Sequence, residues 1–280
     1  MSDKNPVENN HFIPCYWTAY WNIEYLNSKR KKEKTNSPRD IEVSYFNLKA
    51  NKILKGKTKT VFLDKYRGLA TIEVENDLKK IQNNFIICNT DEEYQSYGLI
   101  LDFENHFTEY ENLSRDALER TIITKKIKNI EDKTFLAQFF ILQSIRNPQI
   151  LNKRLDYLLN NGKNKLDLLL EVREVFTNRK KLESLIVPLV YCKWKIYSVK
   201  DNLFPIPDKS ILDNKNHIFV PLAPDILIEI QLNNKTEKIA SYHYKISKFK
   251  YIKFKNRVIK NINTEIVANT DLLKKWRNKI

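Results

Sequence analysis

Near residue 184 the spacing of apolar residues changes, and that change limits which folds the chain can enter. Before it, through the middle of the chain, apolar positions recur with a helical period. Residues 132–146 carry Phe135, Leu136, Phe139, Phe140, Leu142 and Ile145, apolar over more than one face, which predicts a helix buried in a bundle. Asp132 is its expected cap. Pro148 breaks or kinks it and biases Asn147 away from helical geometry. A second helix over 149–159 stops at Asn160-Asn161-Gly162, and a leucine-rich third covers 166–176. Beyond 184, Val190, Cys192, Trp194 and Ile196 alternate with Tyr191, Lys193, Lys195 and Tyr197, the two-residue period of a strand. Residues 218–220, 226–232 and 238–246 continue it, with Asn233-Asn234 as a hairpin turn. Ile259, Ile262, Ile266, Leu273 and Trp276 then keep a helical stripe to the end. This segregation predicts an α+β fold. Its expected parts are a central helical bundle, a small mostly antiparallel sheet and a basic C-terminal helix, divided as 1–183 and 184–280 within one unit.

The N-terminal part is less regular. Residues 1–10 read as a polar arm without a leader-like apolar segment. The aromatic stretch from His11 to Trp21 must bury itself, the charged run 29–34 reads as a loop, and 41–46 as a short strand. Over 68–85, Val74, Leu78, Ile81 and Phe85 fall on one helical stripe. Glu75 lies between that stripe and a smaller apolar group, Leu69 and Ile72, and is therefore expected to be half-buried. The acidic, aromatic stretch 91–112 has no clear period and could dock on the basic C-terminal part.

With 280 residues and 42% hydrophobic composition there is material for a real core. No stretch approaches the ~18 apolar residues of a membrane span, and 4 glycines exclude a collagen-like chain. Cys15, Cys88 and Cys192 are widely spaced and odd in number, so reduced thiols in a cytoplasmic protein are expected. Phosphate-loop, dinucleotide-binding, zinc-protease and serine-elbow motifs are absent from the sequence.

Several short motifs occur in a characteristic order: His11-Phe-Ile-Pro14, the helix bearing Glu75, Gln143-Ser-Ile-Arg146-Asn-Pro148, the Trp194 strand, Phe204 to Asp208, and Pro221-Leu-Ala-Pro224. Over roughly residues 10–270 this order resembles a widespread microbial family defined as a domain of unknown function (DUF four-two-three-eight). The resemblance implies an architecture and no activity. Where that family has Ser-Asp-Asn-Pro, this chain reads Pro207-Asp208-Lys209-Ser210, with Asp201-Asn202 a poorer rival match, and Cys15 replaces the usual Gln.

His11, Glu75, Gln143, Arg146 and Asp208 come from five separate segments. Brought together, they would offer an imidazole for acid–base work, a guanidinium to grip a phosphate, and an amide. The pair Glu75 and Asp208 would be able to hold Mg²⁺. The alternative is structural: His11 bonded to backbone, Glu75 and Arg146 as a buried ion pair, Gln143 capping a carbonyl, and Asp208 as a turn residue.

The net charge is +15, and residues 235–280 supply ten of those charges, with 13 Lys/Arg against 3 Asp/Glu. Lys245, Lys248, Lys250, Lys253, Lys255, Arg257 and Lys260 interleave with Tyr244, Phe249, Tyr251 and Phe254. Cations for phosphates and rings for unpaired bases suggest RNA or single-stranded DNA as partner. The leading expectation is a nucleic-acid-binding protein, with metal-dependent phosphodiester cleavage, in a bacterial defence or conflict setting. The alternatives are a non-enzymatic module docking an acidic protein, or a small-molecule hydrolase with a closed pocket away from the basic segment.

Overall fold

A buried indole N–H needs an acceptor, and two tryptophans of the N-terminal aromatic stretch find theirs far along the chain. In the computed structural model, which describes residues 9–11, 13–65, 104–163, 167–168, 171–172, 174–175 and 178–279, Trp17 Nε1 donates to Leu222 O at 3.1 Å and Trp21 Nε1 to Phe204 O at 2.8 Å. Both tryptophans are buried, as are Ile13, Tyr20, Tyr25 and Leu26. The stretch is wound as α1 (Cys15–Thr18), a 3₁₀ turn over Ala19–Trp21 and α2 (Ile23–Arg30). Asn22 caps α2 by accepting from Tyr25 N at 2.9 Å.

The helical middle is as its period predicts. α3 (Glu104–Thr124) packs on α4 (Ile130–Arg146), which is followed by α5 (Pro148–Asn160) and α6 (Arg179–Val190). Asn147 is extended (φ −64°, ψ 123°), so Pro148 opens a new helix at its first position instead of kinking the old one. Gly162, at φ +74°, follows the end of α5. Of the expected helix over 166–176, the described residues are helical. Asp132 is not the cap of α4: Asn129 takes that place, accepting from Asp132 N at 2.8 Å. The Asp132 side chain instead meets Arg120 on α3 at 2.6 Å. Part of the unassigned acidic stretch belongs to α3. The expected helix over 68–85, with Glu75, lies outside the described residues, as does Cys88.

The strands are β1 (Asn9–His11), β2 (Glu42–Asn47), β3 (Lys52–Lys57), β4 (Leu63–Lys65), β5 (Cys192–Ser198), β6 (Ile206–Pro207), β7 (Leu212–Asp213), β8 (His217–Ala223), β9 (Ile226–Lys235), β10 (Ser241–His243) and β11 (Glu265–Val267). One sheet runs β10-β5-β9-β8-β7, antiparallel except for the parallel β10–β5 pair. A second, antiparallel sheet runs β3-β2-β11-β6, and β1 pairs with β4. The architecture is α+β. Three local expectations are corrected. The strand period begins at Cys192, because α6 continues to Val190 even with Pro188 inside it. The hairpin turn falls at Pro224-Asp225, whereas Asn233-Asn234 continues β9. The C-terminal apolar stripe is divided among α7 (Lys248–Asn261), β11 and α8 (Thr270–Arg277).

The larger core cluster lies between α3, α4 and α6 and the five-stranded sheet, with Phe140 stacked on Trp194 at 5.6 Å, and a second cluster gathers Phe204, Phe254, Val258, Leu273 and Trp276 around α7 and α8. Each large apolar side chain so buried contributes ~2–3 kcal/mol. Lys133 of α4 is completely buried. Its Nζ donates to Cys192 O and Lys238 O, both at 3.1 Å, and stands 5.5 Å from the Trp194 ring centre. Cys15 and Cys192 are free thiols. No helix among the described residues is long and apolar enough to cross a membrane.

Candidate functional site

Two places gather the residues that the sequence singles out: a buried centre at the end of α4 and a basic face on α7.

At the buried centre, the β1–β4 pairing sets His11 opposite Leu63. His11 is 9% exposed, and its Nδ1 lies 3.2 Å from Val61 O. A carbonyl only accepts, so Nδ1 carries the proton and Nε2 keeps its lone pair. Among the described residues Nε2 has no hydrogen-bond partner. Burial lowers the His11 pKa to about 4; the Val61 bond offsets this in part, and Arg146 and Arg39 add repulsion. The imidazole is therefore neutral at pH 7. Its neighbour Phe62 is fully buried at φ +55°, a left-handed conformation that costs a β-carbon residue roughly 1–2 kcal/mol. The Phe62 N–H is held by Glu265 Oε2 at 2.9 Å.

Arg146, the last residue of α4, donates to Glu111 Oε1 of α3 at 2.5 Å, and Gln143, one turn earlier, donates to the same oxygen at 3.2 Å. Burial raises the Glu111 pKa; Arg146 and Gln143 pull it down without cancelling that effect. Cys15 feels the charges of Arg39 and Arg146 and bonds the Thr58 hydroxyl, yet burial still raises its pKa, so it is a thiol. The Tyr16 hydroxyl is buried in the same field of Glu111 and Arg146.

Asp208 stands beside this centre, its carbonyl accepting from Asn147 Nδ2 at 3.3 Å. Its carboxylate is engaged elsewhere. It accepts from Asn263 N, Thr264 N, Thr264 Oγ1 and Lys209 N at 2.7–3.1 Å, tying β6 to the connection between α7 and β11. A cation there would have to displace those donors.

The structure thus brings His11, Gln143 and Arg146 together, with Asp208 adjacent and Glu75 outside the described residues. Sequence reasoning missed Glu111 and Glu265. A signal for Glu111 exists: it stands three residues before Ser114 on the side of α3 that buries Ser114, Ala117, Leu118, Thr121 and Ile122. Two small polar residues dilute that stripe. For Glu265, on a three-residue strand, there is no local signal.

On α7, Phe254 and Val258 turn inward, and Ser247 caps the helix by accepting from Lys250 N at 3.3 Å. The seven candidate cations separate by facing. Lys250 reaches the fully buried Glu229, which also accepts from Tyr197 Oη at 2.8 Å and stands 3.0 Å from His217 Nδ1. Burial would raise the Glu229 pKa, but Lys250, Tyr197 and His217 together hold it below the usual carboxylate range. Lys255 lies over Trp276, its Nζ 5.0 Å from the ring centre. Lys245 and Lys248 are exposed. Lys253, Arg257 and Lys260 share one stripe and line a hollow of about 300 Å³ with Asn214, His217, Phe219 and Asn256. No lining residue of that hollow is acidic. Of the interleaved aromatics, Tyr244 and Phe249 are 77% and 64% exposed, whereas Phe254 is core.

No family model, curated protein or solved structure matches the chain.

Proposed function

We propose that the protein binds nucleic acid, as RNA or single-stranded DNA, along the outer face of α7. The observation that carries this reading is the convergence of Lys253, Arg257 and Lys260 on one hollow whose lining holds no carboxylate. Several cations elsewhere are paired with acids: Arg30 and Lys125 with Asp225, Arg120 with Asp132, Arg154 with Glu171. Three cations left facing solvent at low separation repel one another, and an arriving phosphate chain relieves that repulsion while releasing counterions. Exposed Phe249 and Tyr244 supply rings for unpaired bases. Titrating a labelled single strand at several salt concentrations tests it. With about four phosphates neutralised, log K should fall against log salt with a slope of about −3. Polyglutamate competing as well as unlabelled strand would favour the acidic-protein partner, and a flat salt response would exclude the α7 cations from the binding.

A second reading, cleavage of the bound strand, is favoured by one observation: the lone pair of His11 Nε2, neutral and without a partner among the described residues. With a pKa of about 4 and a buried ring it is a weak base at pH 7, so cleavage would require this centre, with the adjacent Glu111–Arg146 pair, to open to the strand. Incubating end-labelled RNA and DNA with Mg²⁺ or with chelator, using wild type and His11→Asn, tests it. Equal products from both proteins would assign the activity to a contaminant.

A further inference from the structure

Resting on the nucleic-acid reading, we infer that the hollow between β8 and α7 seats a terminal phosphomonoester of the bound strand. An internal phosphodiester carries one charge and has a sugar on each side, so both sugars must clear the rim before its oxygens can enter a concave site. A terminal phosphate enters end-on, bringing up to two charges and three free oxygens. The hollow matches that group. Its volume of about 300 Å³ is at the small end for ligand sites, room for a phosphate and its sugar.

The donors are arranged for an anion. Arg257 Nη1 rests on Asp213 O at 3.4 Å, which fixes the guanidinium on the wall while its other N–H groups remain. Asn214 spends its Oδ1 on the backbone N–H groups of Asn216 and His217, both at 2.8 Å, so only its amide hydrogens are left for a ligand. The nearby acids are already matched: Asp213 by Lys209 at 2.7 Å, and Glu229 by Lys250. His217 lies nearly parallel to Phe219, at 11°, forming an apolar side to the hollow. Lys253 stands 4.5 Å from the ring centre of Phe249. Phe249 precedes Lys253 by four residues, about 6 Å along the helix axis, so its exposed ring flanks the cations at a reach suited to the terminal base.

Three oligonucleotides of one sequence test this: one with a 5′-phosphate, one with a 3′-phosphate, and one with hydroxyls at both ends, each titrated at about 150 mM salt. One phosphorylated form is expected to bind about tenfold tighter than the hydroxyl form, as charge-assisted bonds to a dianion require. Arg257→Gln with Lys260→Gln should erase that preference. Lys248→Gln, outside the hollow, should weaken all three alike and keep it. Equal affinity for the three strands with a steep salt slope overturns this inference and leaves the nucleic-acid reading standing. A preference that survives Arg257→Gln with Lys260→Gln overturns the hollow as its seat. No binding of any strand overturns both.

Discussion

With its Nδ1–H committed to Val61 O and burial lowering its pKa to about 4 from 6.5, His11 enters the fold neutral. Between those values the unfolded chain holds a proton that the folded chain does not, so stability present above pH 6.5 is lost as pH falls toward 4. His11→Asn keeps a donor near Val61 and removes the titration. Its urea midpoint should therefore fall less than that of wild type over this interval. Lys133 is the corresponding case at alkaline pH. Burial lowers its pKa from 10.5 to about 8. Below pH 8 both states are charged. Between pH 8 and 10.5 only the unfolded state keeps the proton, and stability rises with pH. In Lys133→Met that contribution should vanish, read as the difference between the two proteins so that tyrosine titration cancels. Neither lysine nor histidine announced its environment in the sequence. Lys133 occupies a polar position of an apolar helix, and only the arrival of Cys192 O and Lys238 O gives its ammonium acceptors.

Helix α4 shows how far an element can be read from its own residues. Its apolar faces and its end before Pro148 follow from local sterics and were legible. Its ion pair was not. The sequence offered Glu75, which lies outside the described residues, as the partner of Arg146; among the described residues it is Glu111, from a stretch without a readable period, that pairs with it. Both groups of that pair are poorly exposed, so removing one strands the other. Arg146→Met should cost about 3–5 kcal/mol in chemical denaturation, and Arg146→Met with Glu111→Leu should recover most of it. A double variant as weak as the single would mean that Arg146 acts mainly through other partners. At the opposite end of α4, Asn129→Ala should cost about 1 kcal/mol, whereas Asp132 contributes through Arg120 and not as a cap.

Across the whole molecule, the chain returns on itself. β11, from the last twenty residues, lies between β2 and β6. Asp225, in the β8–β9 turn, takes two bonds from Arg30 at 2.9 and 3.0 Å and a third from Lys125 at 2.6 Å. Trp17 and Trp21 complete the tie between the ends. A boundary at 183/184 would sever all of these except the β11–β6 pairing. Unfolding followed by helical circular dichroism and by tryptophan fluorescence should give coincident transitions, since Trp17 and Trp21 precede that boundary and Trp194 and Trp276 follow it. Separate midpoints would show that the two segments fold independently.

The sequence by itself determined the α+β class, the helical middle, the change to a strand period near Trp194 and the basic character of the C-terminal segment, because side-chain spacing along one element is a local property. It also required the aromatic N-terminal stretch to be buried, since so many rings exceed what a surface can hold. Tertiary structure alone decided which polar groups meet. Asp208 is claimed by amides some 55 residues away, Lys250 turns inward to Glu229 while Lys253 turns out, and Glu111 rather than a nearer acid finds Arg146. Such pairings depend on how elements pack, and residues far apart in sequence carry no mark of the neighbour that packing will bring.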